Sequence, residues 1–385
     1  MKLGLKLWLD YYVGGFLLFL LKPPTILLGK VMGRNHRIED CHTLTFLKLM
    51  GGGSLVIAYP ALLALKRSPS IRRLQIVTTP AIRPFAESLG IFDEVLVIGD
   101  QSPVQLLVDS FRVISRLFRT DAIIDLEIYS RLTTIFSLLT CARNRAGFYT
   151  NASFWRRHIS THLMFCNVSN GIYDHYDQVA HLFGCSIPEI DEARYTFRRQ
   201  LNLGSEPDKS VRRIGVAPGC SDLSRERMLQ TEEWVKVLQA KAANVGPCVF
   251  EFVGGKGDRK TVEDIIRALG PQYQTRDLAG SLPLIDSIRH VAQLDELMCI
   301  DSALLHYSRL AGTPIDAYFG PTDPRVLLRP MKDSMDTVHY TKISCSPCVH
   351  LATTAPCKGN NICMRYAFNP EAPGTRNPVW IDTIP

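Results

Sequence analysis

Acidic residues are scarce at one end of this 385-residue chain. Residues 1–73 hold three of them, Asp10, Glu39 and Asp40, against eleven lysines and arginines. The whole chain has a formal charge of +7, so that stretch carries the entire basic excess. A basic end points to an anionic surface, nucleic acid or phospholipid, or to a solvated basic face. The apolar run VGGFLLFLL (13–21) is too short to span a bilayer, and extending it backwards brings in Asp10 and Lys6, which are costly at mid-membrane depth. No small-x-small cleavage site follows the run, so it does not read as a secretory signal. These absences leave two readings. One is an interfacial helix with Trp8, Tyr11 and Tyr12 at headgroup level and Lys2, Lys6 and Lys22 near lipid phosphates. The other is a first helix docked on its own protein. The two are compatible if each takes one face.

Pairing logic is also missing from most of the eleven cysteines, which fits a reducing compartment better than a secreted disulfide scaffold. Hydrophobic content of 46% and charged content of 21% are those of a globular protein, and the length points to two domains.

What is present is alternation. TLTFLKL (43–49), LQIVTT (74–79), EVLVIG (94–99) and DAIIDLE (121–127) read as strands, with helical patterns between and after them. The polar stretch RRQLNLGSEPDKSVRR (198–213) reads as a linker. A second alternation follows: RIGVAP, CVFEFVGG, LMCID and PIDAYFG as strands, again with helices between. Strand–helix repetition at this spacing predicts parallel right-handed crossovers, hence two Rossmann-like α/β units. The predicted divisions are residues 1–40 for an amphipathic N-terminal segment, 41–200 for the first unit and 201–385 for the second. Ligands in such sheets bind beyond the carboxyl ends of the strands.

Polar groups gather at those ends. Gly51, Gly52 and Gly53 stand between the first strand and a helix predicted to begin at Ser54, and permit a tight turn or close approach by a ligand. Pro218 and Gly219 open a loop that holds Arg225 and Arg227, and arginines ahead of a helix N-terminus suit a phosphate; a charged surface loop is the plainer reading. Gly254, Gly255 and Gly257 precede Asp258, which either caps the following helix or accepts from ribose hydroxyls. Asp301 and Ser302 leave a strand for a helix that carries His306, bringing an acid, a hydroxyl and an imidazole to one sheet edge.

The stretch DSALLHYSRLAGTPIDAYFGPTDP (301–324) resembles the D-S-G-x-x-H…A-x-G-x-P…x-F-G-x-T-x-P signature of glycosyltransferase family 9, the ADP-heptose:lipopolysaccharide heptosyltransferases. The resemblance extends from about residue 44 to 364. It implies the GT-B fold, two facing Rossmann-like domains with parallel sheets, the first taking a lipid-linked sugar acceptor and the second a nucleotide-sugar donor. It implies inverting transfer without a metal. It places Arg227 where a basic residue neutralises the departing diphosphate, and Asp258 where an acid contacts the donor nucleoside. Asp301 and Ser302 fall in the loop that holds donor phosphates and sugar, and His306 matches the family His, with Gly219 and His306 on the donor side as well. Ala303 replaces that loop's usual glycine. GGGSLVIAYPALLALK aligns with the family's G-D-x-x-x-x-x-P-A-L segment, so Ser54 stands where the general base is an aspartate. A serine hydroxyl is a poor base. Glu127, at the end of DAIIDLE, is the replacement the sequence offers, ahead of the deeper Asp125; a salt-bridged or helix-capping acid is the plainer reading of Glu127.

Cys345, Cys348, Cys357 and Cys363 have spacing that suits either a tetrahedral zinc site or four reduced thiols, and the resemblance adds a cysteine-rich tail but no metal. The expected function is transfer of a heptose or related sugar from a nucleotide donor, ADP-heptose first, to a lipid-linked saccharide of the bacterial envelope. The expected location is cytoplasmic and peripheral, on the anionic inner face of the membrane, with no nucleic-acid partner. A transferase for another sugar, or a non-catalytic sugar-nucleotide-binding protein suggested by Ser54 and Ala303, are the alternatives.

Overall fold

A computed structural model describes the chain except residues 2, 205–210, 221–223, 350, 352–354, 356, 358–360 and 369–385. It divides into two units, Met1–Glu189 and Ile190–Pro385. The division falls before the linker expected near residue 200, and residues 1–40 belong to the first unit. The shift has a packing cause. The helix Ile190–Gln200 belongs with the second unit, where Phe197 stacks on Tyr307 and Arg198 donates to the Ala311 carbonyl.

The first unit contains β1 (Thr43–Leu47), β2 (Arg73–Thr78), β3 (Glu94–Val97), β4 (Ala122–Asp125), β5 (Asn144–Tyr149) and β6 (His162–Phe165). They form one parallel sheet in the order β3-β2-β1-β4-β5-β6. The second unit contains β7 (Arg212–Ala217), β8 (Cys248–Phe252), β9 (Gln274–Asp277), β10 (Glu296–Ile300), β11 (Ile315–Phe319) and β12 (Thr337–Tyr340). Its parallel sheet runs β12-β11-β10-β7-β8-β9, the same winding order. Central strands covered on both faces become largely apolar runs, and in β10 and β11 every residue is buried, Glu296 and Asp316 included. In each unit the winding reverses between the two central strands, β1 and β4 or β7 and β10. That switch point opens a crevice beyond the strands' carboxyl ends.

The N-terminal helix extends further than its apolar run. Leu3–Trp8, a single π-helical stretch Leu9–Val13 and Gly14–Met32 follow without a break, through Pro23 and Pro24. The prolines remove two backbone donors, and Thr25 Oγ1 donates to the Leu21 carbonyl at 2.7 Å. The segment Gly4–Met32 is long and apolar enough to cross a membrane by length and composition. One face is nevertheless docked on its own unit. Asp10 accepts from Ser130 Oγ at 2.6 Å and from the backbone N–H groups of Arg131 and Leu132, both at 3.0 Å, capping the helix Arg131–Leu139 from outside. Leu18 packs with Ile135 and Ile159, flanked by Leu17, Leu21, Leu132 and Trp155. The opposite face is exposed at Trp8, Tyr12, Phe16 and Phe19.

Candidate active site

At the first switch point, β1 leads into Lys48 and β4 into Glu127. The two side chains meet, with Lys48 Nζ 3.4 Å from Glu127 Oε1. The same oxygen accepts from the backbone N–H of Leu49 at 2.7 Å and of Met50 at 2.9 Å. Glu127 is therefore a salt-bridged acid that holds the glycine turn, with its bonds gathered on one oxygen. Burial draws the Lys48 pKa down, but Glu127, then Tyr176 and Asp125, outweigh it and hold the ammonium above its ordinary value.

A buried arginine braces this corner. Arg156 donates to the Glu127 carbonyl and, at 3.2 Å, to the Ser130 carbonyl. Its Nη1 lies 3.1 Å from Asp125 Oδ2. Asp125 accepts from Thr133 Oγ1 at 2.8 Å and from the Glu127 N–H at 3.0 Å. Burial lifts Asp125 above the usual carboxylate range, against the pull of Arg156. Gly147 makes room for the guanidinium, since a Cβ there would come within 2.6 Å of Arg156 Nη1.

The glycine turn has structural causes beyond substrate approach. Gly51 sits at φ 73°, in the left-handed region, and begins the helix Gly52–Ile57 two residues ahead of the expected start. A Cβ on Gly52 would collide with the Phe85 ring. Ser54 lies in the first turn and donates from Oγ to the Gly51 carbonyl at 2.6 Å, while its hydroxyl faces the buried phenol of Tyr176. Nothing in this arrangement makes the serine a base.

At the second switch point, the loop after β7 and the end of β10 join through charge. Arg227 donates from Nη1 to Asp301 Oδ2 at 3.3 Å and from Nε to the Ser224 carbonyl at 3.1 Å. Ser302 begins the helix Ala303–Ala311 in extended conformation with its side chain making no cap bond. Ser302 Oγ and Thr322 Oγ1 are buried without a hydrogen-bond partner among the described residues. Buried hydroxyls without partners are costly in a folded protein, and a bound ligand's oxygens would satisfy them. His306 Nε2 lies 3.9 Å from Asp301 Oδ1. Burial drives the imidazole down to about 4, more than Asp301 can restore, so it is neutral near pH 7.

Asp258 turns out to cap its own loop. Its Oδ2 accepts from the Gly255 N–H at 2.7 Å, and its carboxylate fills the space above Gly254 and Gly219, where a Cβ would clash. Gly219 and Asp258 are thus brought together, and the Cys220 thiol lies in the field of Arg227, Asp301 and Asp258. Ala303 opens a regular helix, so its methyl demands no special backbone.

The C-terminal cysteines are free thiols. Burial pushes Cys348 up to about 11 and Cys363 to about 12, with the neighbouring thiols adding to both. Cys363 and Met364 pack on Gly320, whose absent Cβ would meet their sulfurs at 2.8 and 2.7 Å. Among the described residues, no group of three or more His, Cys, Asp or Glu side chains could hold a metal ion. The zinc reading therefore finds no support there, although part of the chain between these cysteines lies outside the described residues.

Lys48, Arg156 and Tyr176 were not singled out from the sequence. Lys48 left a signal, a lone charge closing an apolar strand run. Arg156 left none, because its partner Asp125 is 31 positions away on another element.

Two doubly wound units in one chain, each with its polar groups at the switch point, define an α/β protein of the GT-B class. Residues 177–358 match the family model described as glycosyltransferase family 9 (heptosyltransferase). The matched segment, 182 of the 385 residues, contains the D-S-x-x-x-H stretch. Solved structures agree in fold. The family 9 glycosyl transferase of Veillonella parvula superposes with a TM-score of 0.60 at 18% identity, over 76% of this chain and 84% of that one. E. coli ADP-heptose lps heptosyltransferase II gives 0.59 at 16% identity, over 76% and 88%. E. coli heptosyltransferase WaaC with ADP-2-deoxy-2-fluoro heptose gives 0.59 at 14%, over 77% and 92%. No curated protein matches the chain in sequence.

Proposed function

We propose that the protein transfers a heptose or a closely related sugar from an ADP-linked donor to a lipid-linked saccharide of the bacterial envelope, with inversion and without a metal. The observation that carries this reading is the Arg227–Asp301 pair, together with the buried hydroxyls of Ser302 and Thr322 that have no hydrogen-bond partner among the described residues, inside the matched family segment. A guanidinium and buried donors at the carboxyl end of central strands suit a diphosphate. The solved WaaC structure with an ADP-sugar analogue supports an adenosine diphosphate donor.

In this reading the second unit holds the donor and Arg227 compensates the charge that grows on the departing diphosphate. The first unit presents the acceptor. Glu127 is anchored through Oε1, and its Oε2 takes the proton of the attacking hydroxyl. The deprotonated acceptor oxygen bonds to the anomeric carbon as the carbon–diphosphate bond breaks, which inverts the centre and releases nucleoside diphosphate. Lys48, Arg156 and Asp125 position the carboxylate. Ser54 has no proton-transfer role.

We further infer a cytoplasmic protein peripheral on the inner membrane face, where a lipid-linked acceptor is presented. The exposed apolar face of the N-terminal helix and the basic charge of residues 1–73 support it. The test is a thermal-shift series with ADP-, UDP- and GDP-sugars, followed by a transfer assay on lipid-linked saccharide. A native-state ligand raises apparent stability, so only the true nucleotide class shifts melting strongly at low concentration. Donor-induced stabilisation without transfer to any acceptor would favour the non-catalytic alternative.

A further inference from the structure

The helix Pro103–Arg116 carries apolar side chains on both faces. Val113, with Leu106 and Ile114 beside it, packs inward on the core of the first unit. The opposite stripe, Val104, Leu107, Val108 and Phe111, follows the i, i+3, i+4, i+7 spacing that normally marks a buried face. Here it points outward: the four are 72%, 59%, 51% and 59% exposed, and Phe118 beyond them is 54% exposed. A contiguous apolar stripe on a surface helix marks an interaction site.

The stripe does not stand alone. The Met1 ammonium donates to the Asp100 carbonyl at 2.7 Å and to the Gln101 carbonyl at 3.3 Å, and Lys6 pairs with the Asp100 carboxylate. Those residues directly precede Ser102, whose hydroxyl caps the Pro103–Arg116 helix. The start of the N-terminal helix is thereby fastened to the start of this one, within one unit. The outward faces of both helices are apolar. The surroundings carry exposed cations, and the acids there, Glu94, Asp100 and Asp109, are each ion-paired. Residues 103–119 contain Arg112, Arg116 and Arg119 against one acid, Asp109. Arg112 and Arg116 remain 74% and 60% exposed despite their pairing with Asp109 and Glu94.

We propose that the outward face of the Pro103–Arg116 helix is a second membrane-docking element, which inserts with the N-terminal helix into the headgroup region of an anionic bilayer. Apolar side chains at the acyl boundary with arginines beside them are the chemistry of interfacial binding. Continuity with the apolar N-terminal helix and the exposed arginines favour lipid over a protein occupant. Two anchors fix the orientation of the first unit on the surface, where one helix alone leaves it free to roll. The proposal rests on the peripheral-membrane reading above, and the test separates the two.

The full chain is floated with phosphatidylcholine–phosphatidylglycerol vesicles and with phosphatidylcholine vesicles. Two double variants are compared: Leu107→Glu with Phe111→Glu, and Phe16→Glu with Phe19→Glu. All four positions are exposed, so the melting temperature should hold; if the glutamates unfold the protein, glutamines at the same positions take their place. The expected result is binding of the parent chain to the anionic vesicles and a fall of about tenfold or more in partition coefficient for each variant. Parent-like binding by the Leu107/Phe111 variant beside loss by the Phe16/Phe19 variant would overturn this proposal and leave the peripheral reading intact. No binding by the parent chain would overturn both. A lipid-free oligomer that the Leu107/Phe111 variant dissociates, seen by light scattering, would assign the stripe to a second copy and also overturn it.

Discussion

Arg227 Nη1 and Asp301 Oδ2 lie 3.3 Å apart and tie the loop after β7 to the end of β10. The pair holds a guanidinium at a sheet's switch point before any ligand arrives. Arg227→Ala should lower the rate of sugar transfer by roughly 10²–10³-fold, the usual cost of losing a group that stabilises developing charge. Arg227→Lys should fall between, because an ammonium keeps the charge and loses the planar fork. Steady-state kinetics with calorimetric donor binding checks both; parent-like kinetics in Arg227→Ala would remove Arg227 from the donor site.

Lys48 and Glu127 give the first unit its corresponding pair. Lys48→Met should destabilise by about 3 kcal/mol, because it strands a buried carboxylate. Ser54→Ala removes one hydroxyl bond to the Gly51 carbonyl and should cost about 1 kcal/mol, with turnover nearly unchanged. Urea unfolding monitored alongside turnover separates the two effects. A Ser54→Ala enzyme that is stable but inactive would make the serine essential.

His306 predicts a pH dependence of stability. Its folded pKa, about 4, lies below the ordinary 6.5, so between those values the unfolded chain binds the extra proton. Stability from this group is fully present above pH 6.5 and declines as pH falls towards 4, by about 3 kcal/mol in all. His306→Gln should flatten that decline relative to the parent chain. Denaturant midpoints measured from pH 7 to 4 test it, and parallel curves would place the imidazole's titration elsewhere.

Asp10 caps a helix that begins 121 residues later, and the docked face of the N-terminal helix covers Ile135 and Ile159. Asp10→Ala should cost about 1 kcal/mol, as other lost caps do. Deleting residues 1–21 should lower the melting temperature of the first unit as well as its affinity for vesicles. Calorimetry on the truncated chain would show an unchanged transition if the docked face contributes nothing.

The central strands were legible because parallel sheets bury both faces and leave largely apolar runs such as TLTFL and ELMCI. The edge strands β9, QTRD, and β12, TVHY, were not, because exposed edges tolerate polar residues. β5 begins with Asn144, which looks like a loop residue but is fully buried, bonding to the Arg37 carbonyl and Cys41. In the second unit, the residues that follow β10 were readable from the D-S-x-x-x-H spacing: Ser302 begins the helix that brings His306 Nε2 within 3.9 Å of Asp301 Oδ1. The support beneath Glu127 in the first unit was not. Arg156 reaches Glu127 and Asp125 only through the winding of the sheet, and the glycine turn owes its second glycine to Phe85, which no local pattern connects to it.

The account turns on Glu127, whose Oε1 is tied to Lys48 and the Leu49–Met50 backbone. The most direct measurement is single-turnover transfer from ADP-heptose to lipid-linked saccharide by the parent chain and by Glu127→Gln, with donor affinity measured on both. The amide keeps the shape and can accept the same backbone bonds, but it cannot take a proton. The account predicts sugar transfer by the parent chain, a rate about 10²–10⁴-fold lower in Glu127→Gln, and unchanged donor affinity. Equal rates in the two proteins would contradict it.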